Sequence, residues 1–352
     1  MKKFVLLSAI TLFIATQANA KIWRVNNQAG TSADFISMST AVGHASVVSG
    51  DTIYIEPSAT SYGSFTITKQ LVFIGNGYLL DSANNGNAGL QENANESVFS
   101  YAYLNAGSEG SAFIGLYISG YLYFNGISST ANVVIEKCKF NSQPFYQSGV
   151  ATYDNIVIRK CFFTYIYNID IFNTTNVTVN NLTIENCVFN GYPRIGINSA
   201  STNVVFRNNT ADYFSGTSVY VANNIFLNNT SSTFNSCVVK NNLFVYNQAG
   251  VTVGPLNVNG NNLVSQTRAN LIADVGSDDA KYMLAAGSPA IGGGVDLGGT
   301  KPDCGAFGGN DPYVLSGIPN IPTIYSMSFP NGNSIPAGAG SILVDFSTRN
   351  NN

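Results

Sequence analysis

The sequence is short of charge. Only 10% of its 352 residues are Asp, Glu, Lys or Arg, against roughly 25% in an ordinary soluble domain. Sixteen Lys and Arg against nineteen Asp and Glu leave a net charge of −3, which excludes the basic footprint that nucleic-acid binding requires. His44 is the only histidine, and the five cysteines contain no closely spaced pair. That removes the usual pattern of a zinc site, and the odd number rules out a complete disulfide framework. No apolar run reaches the ~20 residues of a membrane-spanning helix, so no membrane span is expected.

Asn, Ser, Thr and Gly take the place of charge, together with 22 Phe and 19 Tyr. That aromatic content separates the chain from disordered polar sequences. The first twenty residues form a separate unit. Lys2 and Lys3 precede an apolar stretch from Phe4 to Ala15, and Ala18-Asn19-Ala20 supplies the small-x-small pattern of a cleavable signal peptide. Cleavage after Ala20 would export a chain starting at Lys21, secreted or held at the cell surface.

The remaining sequence is periodic. Val134-Ile135-Glu136-Lys137-Cys138-Lys139-Phe140, Val157-Ile158-Arg159-Lys160-Cys161-Phe162-Phe163 and Thr183-Ile184-Glu185-Asn186-Cys187-Val188-Phe189 share one pattern: apolar, two polar, Cys, any residue, Phe. Later copies carry Asn in place of Cys, at Asn209, Asn224, Asn242 and Asn262. Fainter early copies are Val72-Phe73-Ile74-Gly75-Asn76 and Phe113-Ile114-Gly115-Leu116. Between them lie alternating runs such as Tyr121-Leu122-Tyr123-Phe124, Asn168-Ile169-Asp170-Ile171-Phe172 and Arg194-Ile195-Gly196-Ile197. Successive strand side chains point to opposite faces, so Leu122, Phe124, Ile169, Ile171, Ile195 and Ile197 should face inward. Short strands at this period leave no room for a helix in each repeat, and about ten stacked coils of a parallel β-helix are expected.

Equivalent residues of successive coils lie directly above one another. Cys138, Cys161, Cys187, Asn209, Asn224, Asn242 and Asn262 should therefore form a structural ladder at one inward corner. The asparagines would bond their neighbours' backbone, and the thiols, small and apolar enough to fit, would remain reduced. Cys237 and Cys304 lie off the ladder as further buried thiols. Asn-x-Ser/Thr triplets such as Asn176-Val177-Thr178 are read as turn chemistry rather than glycosylation sites.

Near the start, Ser32-Ala33-Asp34-Phe35-Ile36-Ser37-Met38-Ser39-Thr40-Ala41-Val42 runs through His44-Ala45 to Gly50-Asp51-Thr52-Ile53-Tyr54-Ile55. Phe35, Met38, Ala41, Val42 and Ala45 share a helical face, Asp34 is a candidate N-cap, and His44 falls on the polar side. With Lys69-Gln70-Leu71-Val72-Phe73-Ile74-Gly75, this segment resembles the amphipathic cap helix and first coil of the pectate-lyase-like superfamily. The later Leu284-Ala285-Ala286-Gly287-Ser288-Pro289-Ala290-Ile291-Gly292 and Asp303-Cys304-Gly305-Ala306-Phe307 resemble the closing segment of secreted right-handed parallel β-helix repeat proteins. The resemblance spans about Lys21 to Gly309. It implies an all-β, right-handed parallel β-helix with an N-terminal cap, and it leaves the activity open because this superfamily holds lyases, hydrolases, epimerases, adhesins and purely structural parts. Residues 310–352 are a Pro/Gly-rich linker and two short strands, too few for a core of their own, expected to pack on the last coil or on a partner.

Carboxylates at equivalent positions of adjacent coils are what a polysaccharide lyase or glycoside hydrolase would need. The strongest column is Asp170 followed by Arg194, candidates for a sparse catalytic couple but more simply a surface ion pair. Tyr121, Tyr123 and Tyr146 precede it and offer aromatic rings to a ligand. Asp278 and Asp279 form a candidate for Ca²⁺, and no other cofactor is indicated. The expectation is a non-catalytic solenoid binding a polysaccharide or a surface protein through its tyrosines. The alternative is a carbohydrate-active enzyme.

Overall fold

The structure, a computed structural model, describes residues 20–125, 131–146, 149–172, 175–247, 258–295, 301–330, 332 and 341–351. The signal-peptide pattern, through residue 19, lies outside the described residues.

The chain is a parallel β-solenoid of about eight complete turns. One long sheet contains eleven strands, from Ile22–Val25 to Val258–Gly260, and a second contains eight, from Val98–Phe99 to Leu243–Phe244. The third face carries two four-stranded sheets in succession. The first runs from Phe65–Ile67 through Ala102–Leu104 and Leu122–Phe124 to Phe145–Tyr146. The other runs from Asn168–Phe172 through Tyr192–Ile195 and Ser215–Thr217 to Thr233–Asn235. Every pairing between coils is parallel.

Alternation within these strands builds the core. Ile53, Phe73, Phe113, Ile135, Ile158, Ile184, Phe206, Val221 and Val239 are buried along the long sheet, as are the six inward residues expected on the third face. Phe140, Phe163 and Phe189 stack with centroids 5.0 and 4.5 Å apart and rings within 9° of parallel. One coil's Phe thus covers the next, at the ~4.8 Å spacing of neighbouring strands.

The Cys/Asn column marks the corner between the long and second sheets. Lys137, Lys160, Asn186, Asn208, Asn223, Asn241 and Asn261, which precede it, all have φ between 51° and 58°. Asparagine tolerates this left-handed conformation better than most residues, which explains the Asn pairs in the repeat. Inside the corner, the backbone N–H groups of Cys187, Asn209, Asn224 and Asn242 donate to Oδ1 of Asn209, Asn224, Asn242 and Asn262 at 2.8–2.9 Å. Each asparagine amide also reaches a carbonyl of the preceding coil, as Asn209 Nδ2 does to Ile184. Cys138, Cys161 and Cys187 are free and buried, and bond carbonyl oxygens of Glu136, Arg159 and Glu185.

The structure departs from expectation at both ends. The helix expected over Asp34–Ala45 covers only Met38–Gly43, and Ser37 is its N-cap. Asp34 instead accepts the Arg24 N–H, and Phe35 bridges to Val25 in parallel, so backbone pairing takes residues that helical periodicity had assigned to the cap. At the far end, the segment after residue 290 turns back along the ladder corner. Asn241 donates to the Gly293 carbonyl, Asn223 to Val295, Asn208 to Asp303 and Asn186 to Ala306 and Gly308; Lys160 pairs with Asp311 and Lys137 bonds Asn320. Coil by coil, the left-handed residues grip a returning strap. The strap carries the tail away from the last coil, to the loop at Leu90–Glu92.

Candidate functional site

The strap decides which faces can meet a ligand. Tyr78, Phe162, Val188, Ile225 and Leu243 form a second apolar cluster with Leu271, Tyr282, Cys304, Ala306 and Tyr313 from the C-terminal segment, which therefore covers the outside of the second sheet. The outer face of the two short sheets carries the tyrosines and the Asp170–Arg194 pair.

Tyr121, Tyr123 and Tyr146 do come together. Tyr123 pairs in register with Tyr146 on one side and Tyr103 on the other. Leu122, Phe124 and Phe145 point inward while these tyrosines point out, and Tyr146 is 42% exposed. Tyr101 and Tyr103 complete a five-ring cluster. Centroid separations are 4.6 Å for Tyr103–Tyr123, 4.9 Å for Tyr101–Tyr121, 4.8 Å for Tyr121–Tyr123, 5.5 Å for Tyr121–Tyr146 and 4.9 Å for Tyr123–Tyr146. Their signal was present in the sequence: Tyr101-Ala102-Tyr103-Leu104 repeats the alternation of Tyr121-Leu122-Tyr123-Phe124 after twenty residues. Gly120 is required beneath the cluster, because a Cβ there would lie 2.4 Å from the Tyr101 ring.

Stacking changes what the surface offers. Tyr103 and Tyr123 lie 15° from parallel and cover each other's faces, so the cluster presents ring edges and hydroxyls. The Tyr121 and Tyr123 hydroxyls are 3.0 Å apart, and this hydrogen bond, with partial burial, holds Tyr121 protonated well above the ordinary tyrosine range. Tyr103 also walls a hollow of about 290 Å³ beside the Met38–Gly43 helix, where Ser39, Ser64 and Thr66 contribute hydroxyls.

Asp170 and Arg194 are opposite one another in register and form a two-pronged ion pair, Nε–Oδ1 2.6 Å and Nη2–Oδ2 2.8 Å. Both carboxylate oxygens are engaged by the guanidinium, a geometry suited to holding two coils together. The flanking Tyr192 and Tyr213 rings stack at 4.2 Å. Among the described residues, Asp278 and Asp279 are not joined by a third metal-binding side chain. Asp279 is buried, and its oxygens accept from Asn87, Ser277, Tyr313 and the Ser316 N–H; Asp278 faces Lys281. Protein donors occupy the positions that a cation would need.

One further concavity has no signal in the local sequence pattern. A groove of about 1040 Å³ lies on the long sheet, with Val205, Tyr220, Arg207 and Lys240 on its floor and Pro302 and Asp311 from the strap on one wall. Arg207 pairs with Glu185 and Asp311 with Lys160, whereas Lys240 has no ion pair among the described residues. The groove exists because the strap rises beside the sheet, which no local pattern encodes.

No model of a known protein family matches the sequence, and no curated protein matches it.

Proposed function

We propose that this chain is an exported, non-catalytic solenoid of the pectate-lyase-like kind that binds an extracellular polysaccharide across its tyrosine face. The observation carrying this reading is the cluster of five tyrosines in mutual contact on a strand face with little charge around it. Tyrosine gives rigid amphipathic contact area with few rotamers to freeze, and a hydroxyl-rich polymer can bond the edge-on phenols and the Ser39, Ser64 and Thr66 hydroxyls. Export with cleavage after Ala20 is consistent with Lys21, whose N–H donates to Asp51 at 2.8 Å, where a new α-ammonium group would find a carboxylate.

A glycan array on the mature protein, combined with assays for reducing ends and unsaturated uronates, tests the proposal. Binding should be lost in the Tyr121→Ala/Tyr123→Ala/Tyr146→Ala variant and kept in Lys240→Ala, which alters only the groove. Cleavage that disappears in Asp170→Asn or Arg194→Ala would replace this reading with that of an enzyme. Binding to a protein and to no glycan would keep the face and change the ligand.

A further inference from the structure

The tail forms a two-stranded antiparallel sheet, Thr323–Ser328 with Asp345–Arg349. Its first strand is occupied on the solenoid side: the Glu92 N–H donates to the Ile324 carbonyl and the Met327 N–H to the Glu92 carboxylate. Among the described residues, Asp345–Arg349 pairs with no strand but Thr323–Ser328. Two strands alone are marginal in water, and an open edge is a template for another strand. Ile324, Met327 and Phe346 fall on one exposed side of this sheet, with Phe346 64% exposed.

The open strand reads Asp345-Phe346-Ser347-Thr348-Arg349, with an acid at one end, a base at the other and Ser347 between them. Asp345 makes no ion pair among the described residues, and Arg349 has no carboxylate partner: it donates to the Leu90 carbonyl through Nη2, while its Nε is buried without an acceptor. Two copies laid antiparallel about Ser347 would place each Asp345 opposite the other copy's Arg349. A parallel arrangement would set like charges side by side. The strand is therefore complementary to itself in one orientation only, which is the condition for an isologous two-fold contact.

We infer that Asp345–Arg349 is a self-association edge, where a second copy of this chain adds its own Asp345–Arg349 strand antiparallel to form a four-stranded sheet. The partner chemistry is strand addition, with backbone bonds for affinity and the crossed Asp345–Arg349 pairs for register. This inference is independent of the tyrosine face.

Sedimentation equilibrium of the full mature chain tests it. The parent should show a concentration-dependent monomer–dimer equilibrium. Asp345→Arg and Arg349→Asp, each alone, place like charges opposite at both crossed positions and should weaken association on the order of tenfold. An equimolar mixture of the two variants restores opposite charges at both positions and should dimerise like the parent. Circular dichroism of each variant confirms that the solenoid is intact. A parent that stays monomeric at its highest soluble concentration, single variants that associate like the parent, or a mixture no tighter than its components would each overturn the inference.

Discussion

The backbone N–H of Cys187 donates to Oδ1 of Asn209 at 2.9 Å, and here a column of thiols becomes a column of amides. Both side chains are fully buried and fill the same corner in successive coils. They hold it differently: the thiols pack and make weak bonds to carbonyls, whereas each amide accepts a backbone N–H of the preceding coil and donates to one of that coil's carbonyls, and Asn209, Asn224 and Asn242 also donate to the next asparagine's Oδ1.

Replacement of the amides should therefore cost more than replacement of the thiols. Asn224 Oδ1 accepts from the Asn209 backbone and side chain, and its Nδ2 bonds Phe206 and Asn242. Asn224→Ala strands several buried polar groups and should destabilise by about 2–4 kcal/mol. Cys161→Ala removes one small apolar group and should cost about 1 kcal/mol. Chemical denaturation of the two variants measures the difference.

The thiols should be silent in the native protein. All five cysteines are buried and free. Burial pushes Cys138 and Cys187 well above the ordinary thiol range, and Cys304 up to about 12. Native protein should resist alkylation at pH 8–9, where an exposed cysteine reacts. Unfolding without reductant should release all five thiols to titration.

Outward and inward residues of one strand should separate in stability. Tyr123→Ala trims a partly exposed ring and is expected to cost about 1 kcal/mol, whereas Leu122→Ala opens a cavity in the core and should cost about 2–5 kcal/mol. Thermal unfolding of both variants checks the alternation directly.

High pH should weaken the attachment of the strap. The Tyr78 and Tyr313 hydroxyls are 2.8 Å apart, both rings are buried, and Tyr313 also bonds Asp279. Burial, reinforced by the Asp279 charge, raises both phenols well above 10. Folding therefore keeps them protonated while the unfolded chain ionises near pH 10. The stability contributed is complete below that value and falls as pH rises above it. Unfolding free energies measured from pH 8 to 11 should decline at the upper end, and the decline should be shallower in Tyr78→Phe/Tyr313→Phe.

The repeating parts follow from local sequence alone. A period of two in Leu122–Phe124 or Ile169–Ile171 decides which side chains are inside, and the recurrence of Cys or Asn after a left-handed residue decides where each coil turns. Both follow from local backbone geometry repeated at a fixed spacing, so they can be read from one coil and carried to the next. The tyrosine face was legible for the same reason, and Tyr101 and Tyr103 extended it by one more repeat.

What happens outside the repeat depends on contacts between residues distant in the chain. The short Met38–Gly43 helix lost residues to strand pairing at Phe35, a competition that helical periodicity alone does not register. Asp279 became a buried acceptor for groups from residues 87 and 313–316, which no spacing rule links to it. The strap follows Asn241, Asn223, Asn208, Asn186, Lys160 and Lys137 in turn because those side chains leave the corner as a row of donors, and its backbone supplies acceptors to most of them. That row exists only once the coils are stacked, because residues 15 to 26 apart in the chain then become neighbours across a strand spacing.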